Sequence, residues 1–134
     1  MATGNVIVDN GRKTILNRAF KGTPDYLAPT QFKIGTGTTT PSTADTDMET
    51  PVNINGTEFK NFVSGYPILD ETNMEVTFRC LVTTTEGNSN TLTEFGMINE
   101  DSSRLLLSHA VHTAIAKDNT YQIVYIEKDS ISTS

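Results

Sequence analysis

Met74-Glu75-Val76-Thr77-Phe78-Arg79-Cys80-Leu81-Val82-Thr83-Thr84-Thr85 is the stretch that decides the fold. Met74, Val76, Phe78, Cys80 and Val82 fall at every second position, with Glu75, Thr77, Arg79 and Thr83 between them and Leu81 the one exception. Side chains alternate across a strand, so this pattern predicts a strand with one face on a core and the other in water. Its apolar face has to be buried by a second layer, and the segments on either side supply the candidates.

Towards the C-terminus, residues 86–90 form a polar turn containing Gly87 and Asn88, and residues 91–99 read as a return strand. A second polar turn follows at residues 100–103. In residues 104–117, Leu105, Leu107, His109, Val111, Thr113 and Ile115 alternate, while Leu106 and several alanines also fit a helix. The flanking turns favour a strand. Tyr121, Ile123 and Tyr125 alternate with Gln122, Val124 and Ile126. With both faces apolar, that strand is expected between layers. Residues 129–134 read as a flexible polar tail.

Towards the N-terminus, Phe32 and Ile34 alternate with Gln31 and Lys33 as in a half-buried strand, and Val52 and Ile54 alternate again before the turn pair Asn55-Gly56. A further strand is expected around residues 59–63. Residues 35–47 form a loop rich in Thr and Gly, in which Pro41-Ser42 opens a helical turn. Ile15, Leu16, Ala19 and Phe20 recur at amphipathic-helix spacing, which predicts one short helix over residues 12–21, stopped by Gly22-Thr23-Pro24 with Gly22 as the left-handed cap. Residues 4–8 form a short extended arm. The fold expected is mainly β: a β-sandwich of antiparallel strands with one short N-terminal helix. It forms a single domain over residues 1–134, with an arm at about 1–9 and a tail at about 129–134.

The chain of 134 residues has the usual size of one domain, and 36% hydrophobic residues suffice for an ordinary core. A net charge of −6, with ten basic residues that never form a run, excludes a phosphate-backbone binder. Nucleic acid is therefore not an expected partner. No stretch approaches the length of apolar sequence needed to cross a membrane, and the N-terminus lacks the pattern of a secretion signal. Cys80 is the only cysteine, so no internal disulfide forms, and the chain is expected to fold in a reducing cytoplasm.

The search for chemistry is short. Gly35-Thr36-Gly37-Thr38 lacks the third glycine of the dinucleotide fingerprint and the Gly-Lys-Ser/Thr ending of the P-loop, so it reads as a turn. His109 and His112 point to opposite faces of a strand and read as structural or surface histidines. Cys80, on the apolar face of the best strand, reads as an inert core thiol. Asp45, Asp47 and Glu49 lack the spacing of a calcium loop and read as solvated or capping acids, with a weak cation site as the alternative. Glu94 is different. Inside Thr93-Glu94-Phe95-Gly96-Met97 it stands beside a glycine, and an unpaired buried acid is costly, so a backbone N–H or an Arg/Lys partner is expected. No catalytic residue, cofactor or metal ligand can be nominated, and the expected class is non-enzymatic.

Three segments carry a resemblance: residues 9–20; Phe32-Lys33-Ile34-Gly35-Thr36-Gly37 running on through Pro41-Ser42 to Asp45-Thr46-Asp47-Met48; and Thr93-Glu94-Phe95-Gly96-Met97-Ile98-Asn99. In this order they resemble the small β-sandwich modules of tailed phages, notably the tail-collar fibre family. That family has an N-terminal helix, a Gly-x-Gly loop with a Pro-x-x-x-Asp-x-x-Leu stretch, and a later Glu-x-Gly-Leu strand. Met48 and Met97 stand where it usually has Leu, a volume-conserving departure. Lys117 and the strand from Tyr121 match its last element.

The resemblance implies a structural component of a virion, either a capsid decoration or cement protein or a tail, neck or baseplate adaptor or fibre anchor. Its partners are then other virion proteins, the major capsid or tail proteins, and further copies of itself. Assembly by strand pairing and apolar patches points to the arm and the loop as interface, with Val6, Ile7 and Val8 from the one and Thr36, Gly37, Thr38, Thr39 and Thr40 from the other. Deleting the arm is then expected to leave the domain folded. A carbohydrate-binding sandwich is the remaining alternative, although the chain has no Trp for a stacking platform.

Overall fold

The computed structural model describes residues 4–133. In chain order the elements are β1 (Gly4–Ile7), α1 (Asp9–Phe20), β2 (Gln31–Gly35), β3 (Lys60–Asn61), β4 (Ile68–Asp70), β5 (Glu75–Val82), β6 (Asn90–Ile98), β7 (Ser108–Lys117) and β8 (Ile123–Ser130). They form two antiparallel sheets, one ordered β1-β7-β6-β2-β3 and the other β4-β5-β8. No helix among the described residues is long and apolar enough to cross a membrane.

The alternation of β5 is realised from Val76 on: Phe78, Cys80 and Val82 are buried and Val76 half-buried, whereas Met74, expected on the same face, precedes the strand and is 57% exposed. They meet Ile123 and Tyr125 of β8, Phe32 and Ile34 of β2, and Leu92 and Met97 of β6 in one core between the sheets. The fold is thus a two-sheet, mainly β architecture with a single short helix, as expected. A second, smaller core of Val8, Met48, Ile98 and Leu106, with Val6 and Phe59 against it, lies apart from the first. Every residue of β2 is buried, because residues 36–50 cover the outer face of the five-stranded sheet while the other sheet covers its inner face. The half-buried strand expected at residues 31–34 is therefore covered on both sides. Lys33 reaches this covered face and pairs with Asp47 at 2.6 Å and Glu58 at 3.4 Å.

Several expectations are corrected. Residues 90–98 do form a strand, but β6 does not return against β5; it crosses to the other sheet and pairs with β2 and β7. β8 is an edge strand with Ile126 54% exposed, so it is not sandwiched between layers. Asp129 and Ser130, expected in the flexible tail, are the last residues of β8 and pair with Val76 and Glu75. Residues 41–47 are turns and bends with no helical turn. The segment at residues 4–7 is a strand bonded to β7 in register Gly4↔Val111 to Ile7↔Ser108, not a free arm.

The helix starts earlier than expected and buries a different face. Ile15, Leu16 and Phe20 are 50%, 62% and 82% exposed, whereas Gly11 and Thr14 are buried. A Cβ on Gly11 would collide with the Leu107 carbonyl, so the helix lies with its backbone directly on the start of β7. Small residues permit that approach, and apolar periodicity does not signal it. Lys21 ends the helix in an extended conformation, φ −95° and ψ 130°, in place of a left-handed glycine cap at Gly22.

Candidate functional site

The polar centre of the molecule is built around a break in strand pairing. β6 and β7 pair regularly from Asn90↔Lys117 to Leu92↔Ile115, then resume at Glu94↔Val111 and Phe95↔Ala110. The shift sets His112, Thr113 and Ala114 of β7 opposite Thr93 alone, a bulge in β7, and bulges re-aim side chains. Leu92 and Phe95 remain with the inter-sheet core, while Thr93 and Glu94 both reach the covering loop: the Thr93 hydroxyl donates to the Gly37 carbonyl at 2.6 Å. A Cβ on Gly96 would collide with the Ser108 carbonyl and lie 2.7 Å from Met48 Cε, so only glycine fits between β7 and the loop there.

Glu94 is fully buried. Its Oε2 accepts the Gly37 N–H at 2.7 Å and the Thr50 N–H at 2.9 Å, and its Oε1 accepts the Glu49 N–H at 2.9 Å. His109 on β7, itself buried, places Nε2 2.7 Å from Glu94 Oε1 and Nδ1 2.7 Å from Asp45 Oδ2. Asp45 also accepts the Ser42 N–H at 2.8 Å. The acid expected to need backbone N–H or Arg/Lys partners thus has three backbone donors, and its charged partner is a histidine.

Electrostatics follow from this geometry. Burial alone would raise the Glu94 carboxyl, but the His109 hydrogen bond and the three N–H groups outweigh it and bring it down to about 2. Burial likewise disfavours a charged His109, yet the bonds to Glu94 and then Asp45 prevail and its pKa is raised. The ring is an imidazolium clamped between two carboxylates. With both nitrogens donating, neither is free to take a proton from a bound molecule.

A hollow of about 220 Å³ opens beside His109, lined by Thr39, Thr40, Asp45, Asp47 and Glu49. Glu49 accepts the N–H groups of Thr38 and Thr39 and the Thr39 hydroxyl, and these bonds lower its pKa. Asp47 is taken by Lys33 and the Met48 N–H. The three loop acids are therefore capping and pairing groups. Among the described residues no group of His, Cys, Asp and Glu is disposed to hold a metal ion.

The other singled-out residues lie elsewhere. Cys80 sits in the inter-sheet core, its Sγ 3.7 Å from Met97 Sδ, and burial pushes its thiol pKa well up. His112, in the bulged part of β7, meets the Tyr125 hydroxyl at 2.9 Å through Nε2. The structure brings neither together with His109. Glu127, which the sequence reading did not single out, is buried on the inner face of β8 and accepts the Ser108 hydroxyl at 2.9 Å. Burial, reinforced by Asp129 two residues along the same face, raises its pKa to about 9. The signal for it was available: continuing the period of Ile123 and Tyr125 by one step lands on Glu127.

Of the residues nominated as interface, Val8 is fully buried, Val6 packs on the smaller core and Ile7 on the larger one. Gly37 is buried and Thr36 half-buried, whereas Thr38, Thr39 and Thr40 are exposed. The two segments do come together: the Asp9 N–H donates to the Thr43 carbonyl at 2.7 Å, and Gly4 lies against Pro41. In comparisons with known proteins, the chain matches no family model, no curated protein and no solved structure.

Proposed function

We propose that the chain is a non-enzymatic structural part of a tailed-phage particle, a decoration or cement protein that seats on a capsid lattice. The observation that carries this reading is the outward apolar face of α1. Leu16 and Phe20 are 62% and 82% exposed while the helix rests on Gly11 and Thr14. Large apolar side chains held in water on a rigid element mark a surface that a partner covers. The polar centre supports the same reading, because each polar atom of Glu94 and His109 is engaged in holding the loop to the sheet. The likeness of residues 9–20, 32–48 and 93–99 to tail-collar fibre modules supplies the particle.

Co-sedimentation of the purified protein with capsids and with isolated tails, together with its mass in solution, tests the proposal. Saturable binding to capsids is expected, and Leu16→Ser with Phe20→Ser abolishes it without unfolding the protein. Binding to tails alone replaces the decoration role with that of an adaptor or fibre anchor. Binding to neither overturns the proposal.

A further inference from the structure

A groove of about 620 Å³ runs between α1 and the end of the three-stranded sheet. Ile15 and Ala19 line one wall; Leu69, Met74, Val76 and Ile131 line the other. Leu69, Met74 and Ile131 are 69%, 57% and 80% exposed, so the apolar lining continues onto the surface. The volume lies within the range of pockets that enclose a ligand or a few side chains of a partner.

The charge lining this groove is predominantly acidic. Asp70, Glu71, Glu75 and Asp129 line it, and Arg18 is the one basic lining residue. Arg18 already donates to the Tyr26 carbonyl at 2.7 Å, and none of these acids is in an ion pair among the described residues. Behind the groove Glu127 keeps its proton and shares it with Asp129, whose Oδ2 is shut off from water like Glu127 Oε2. Glu127 is only 3% exposed. With Asp129 engaged by Glu127, the carboxylates the groove offers a partner are those of Glu71 and Glu75.

We infer that this groove docks an apolar segment of another protein that carries Lys or Arg beside its apolar residues, the basic group meeting the Glu71 and Glu75 rim. Charge selects this occupant over a second copy of the chain. An isologous contact sets the same patch against itself, which here brings carboxylate to carboxylate in a chain of net charge −6. The inference rests on the assembly role proposed above and names its contact surface and the chemistry of its partner.

The probe is a short acetylated, amidated peptide of Leu-Leu-Lys repeats, titrated into the isotope-labelled full chain and followed by amide NMR shifts. Its counterpart carries Glu in place of each Lys. The Lys peptide is expected to shift Ile15, Leu69, Met74, Val76 and Ile131, and the Glu peptide to bind at least about tenfold more weakly. Glu71→Gln with Glu75→Gln is expected to weaken the Lys peptide about fivefold, within the range of exposed ion pairs. Leu69→Ser, at an exposed position that does not threaten the fold, removes most of the rest. Equal binding of the two peptides, shifts confined to other surfaces, or self-association that moves the groove residues without peptide overturns the inference. Capsid binding that persists while the peptide fails sinks the groove alone; peptide binding without any particle binding sinks the particle role alone.

Discussion

Glu94 and His109 meet across neighbouring strands, a carboxylate oxygen 2.7 Å from a ring nitrogen, at the point where the β6–β7 register shifts. The same carboxylate takes the N–H groups at both ends of the covering loop. One side chain therefore joins two strands and a long irregular segment, and its removal is felt by all three.

Glu94→Ala is expected to destabilise the protein by about 3–5 kcal/mol, the range for breaking a buried charge pair by removing one member. It strips His109 of a counter-ion and strands the N–H groups of Gly37, Glu49 and Thr50. Urea unfolding with an unchanged m-value measures it. A loss below about 1 kcal/mol, the worth of one ordinary hydrogen bond, contradicts the role assigned here.

Two shifts set a pH window. The raised pKa of His109 makes its contribution complete below the ordinary value of 6.5 and lost as pH rises through the folded value. The lowered pKa of Glu94 makes its contribution complete above 4.5 and lost as pH falls towards 2. The difference in unfolding free energy between the native chain and His109→Gln is thus largest between pH 4.5 and 6.5, shrinking on both sides. Urea titrations across that range check it, and a flat difference counts against the clamp.

Glu127 works in the opposite sense. Its folded pKa of about 9 stands above the ordinary 4.5, so the folded state holds the extra proton and stability declines as pH rises between those values. Glu127→Gln is expected to be nearly neutral at pH 4.5 and to become progressively stabilising relative to the native chain up to pH 9. Denaturant midpoints at the two limits measure the trend; a constant offset rules it out.

Replacing a helical glycine by alanine ordinarily gains up to about 1 kcal/mol. At Gly11 the sign is expected to reverse, with a loss of about 1–3 kcal/mol from overpacking, because the new methyl meets the Leu107 carbonyl. A rise in thermal midpoint on Gly11→Ala would show that the helix stands off β7.

Residues 4–8 are a fixed part of the fold: β1 pairs with β7 and Val8 fills the smaller core. Their deletion is expected to lower stability, contrary to the reading of a detachable arm, and Val8→Ala alone is expected to cost about 1–3 kcal/mol, in line with loss of buried apolar atoms. Thermal unfolding of both variants decides between a built-in strand and an arm.

What could be read from the sequence follows side-chain periodicity. β5 was legible because its alternation is nearly unbroken, and Glu94 because an acid beside Gly96 inside an apolar strand demands partners. Asp45 as the partner of His109 was not legible, since it comes from a distant loop and nothing local marks it. The burying face of α1 was missed because Ile15, Leu16 and Phe20 form the conspicuous stripe while contact is made by Gly11 and Thr14, which hydropathy ignores. β8 looked two-sided because Val124 and Ile126 are apolar, and sequence period does not tell an edge from a centre.

The pairing of early segments with late ones has a bearing on synthesis. β1 closes on β7, β2 on β6, and the loop after β2 on Glu94 and His109. On the ribosome, where the N-terminal part emerges first, the leading half of the chain has neither its neighbouring strands nor its carboxylate anchor until β6 and β7 have been translated. It must wait in the exit region with apolar Phe32, Ile34 and Met48 uncovered, so the nascent chain is most vulnerable to chaperone capture before His109 emerges.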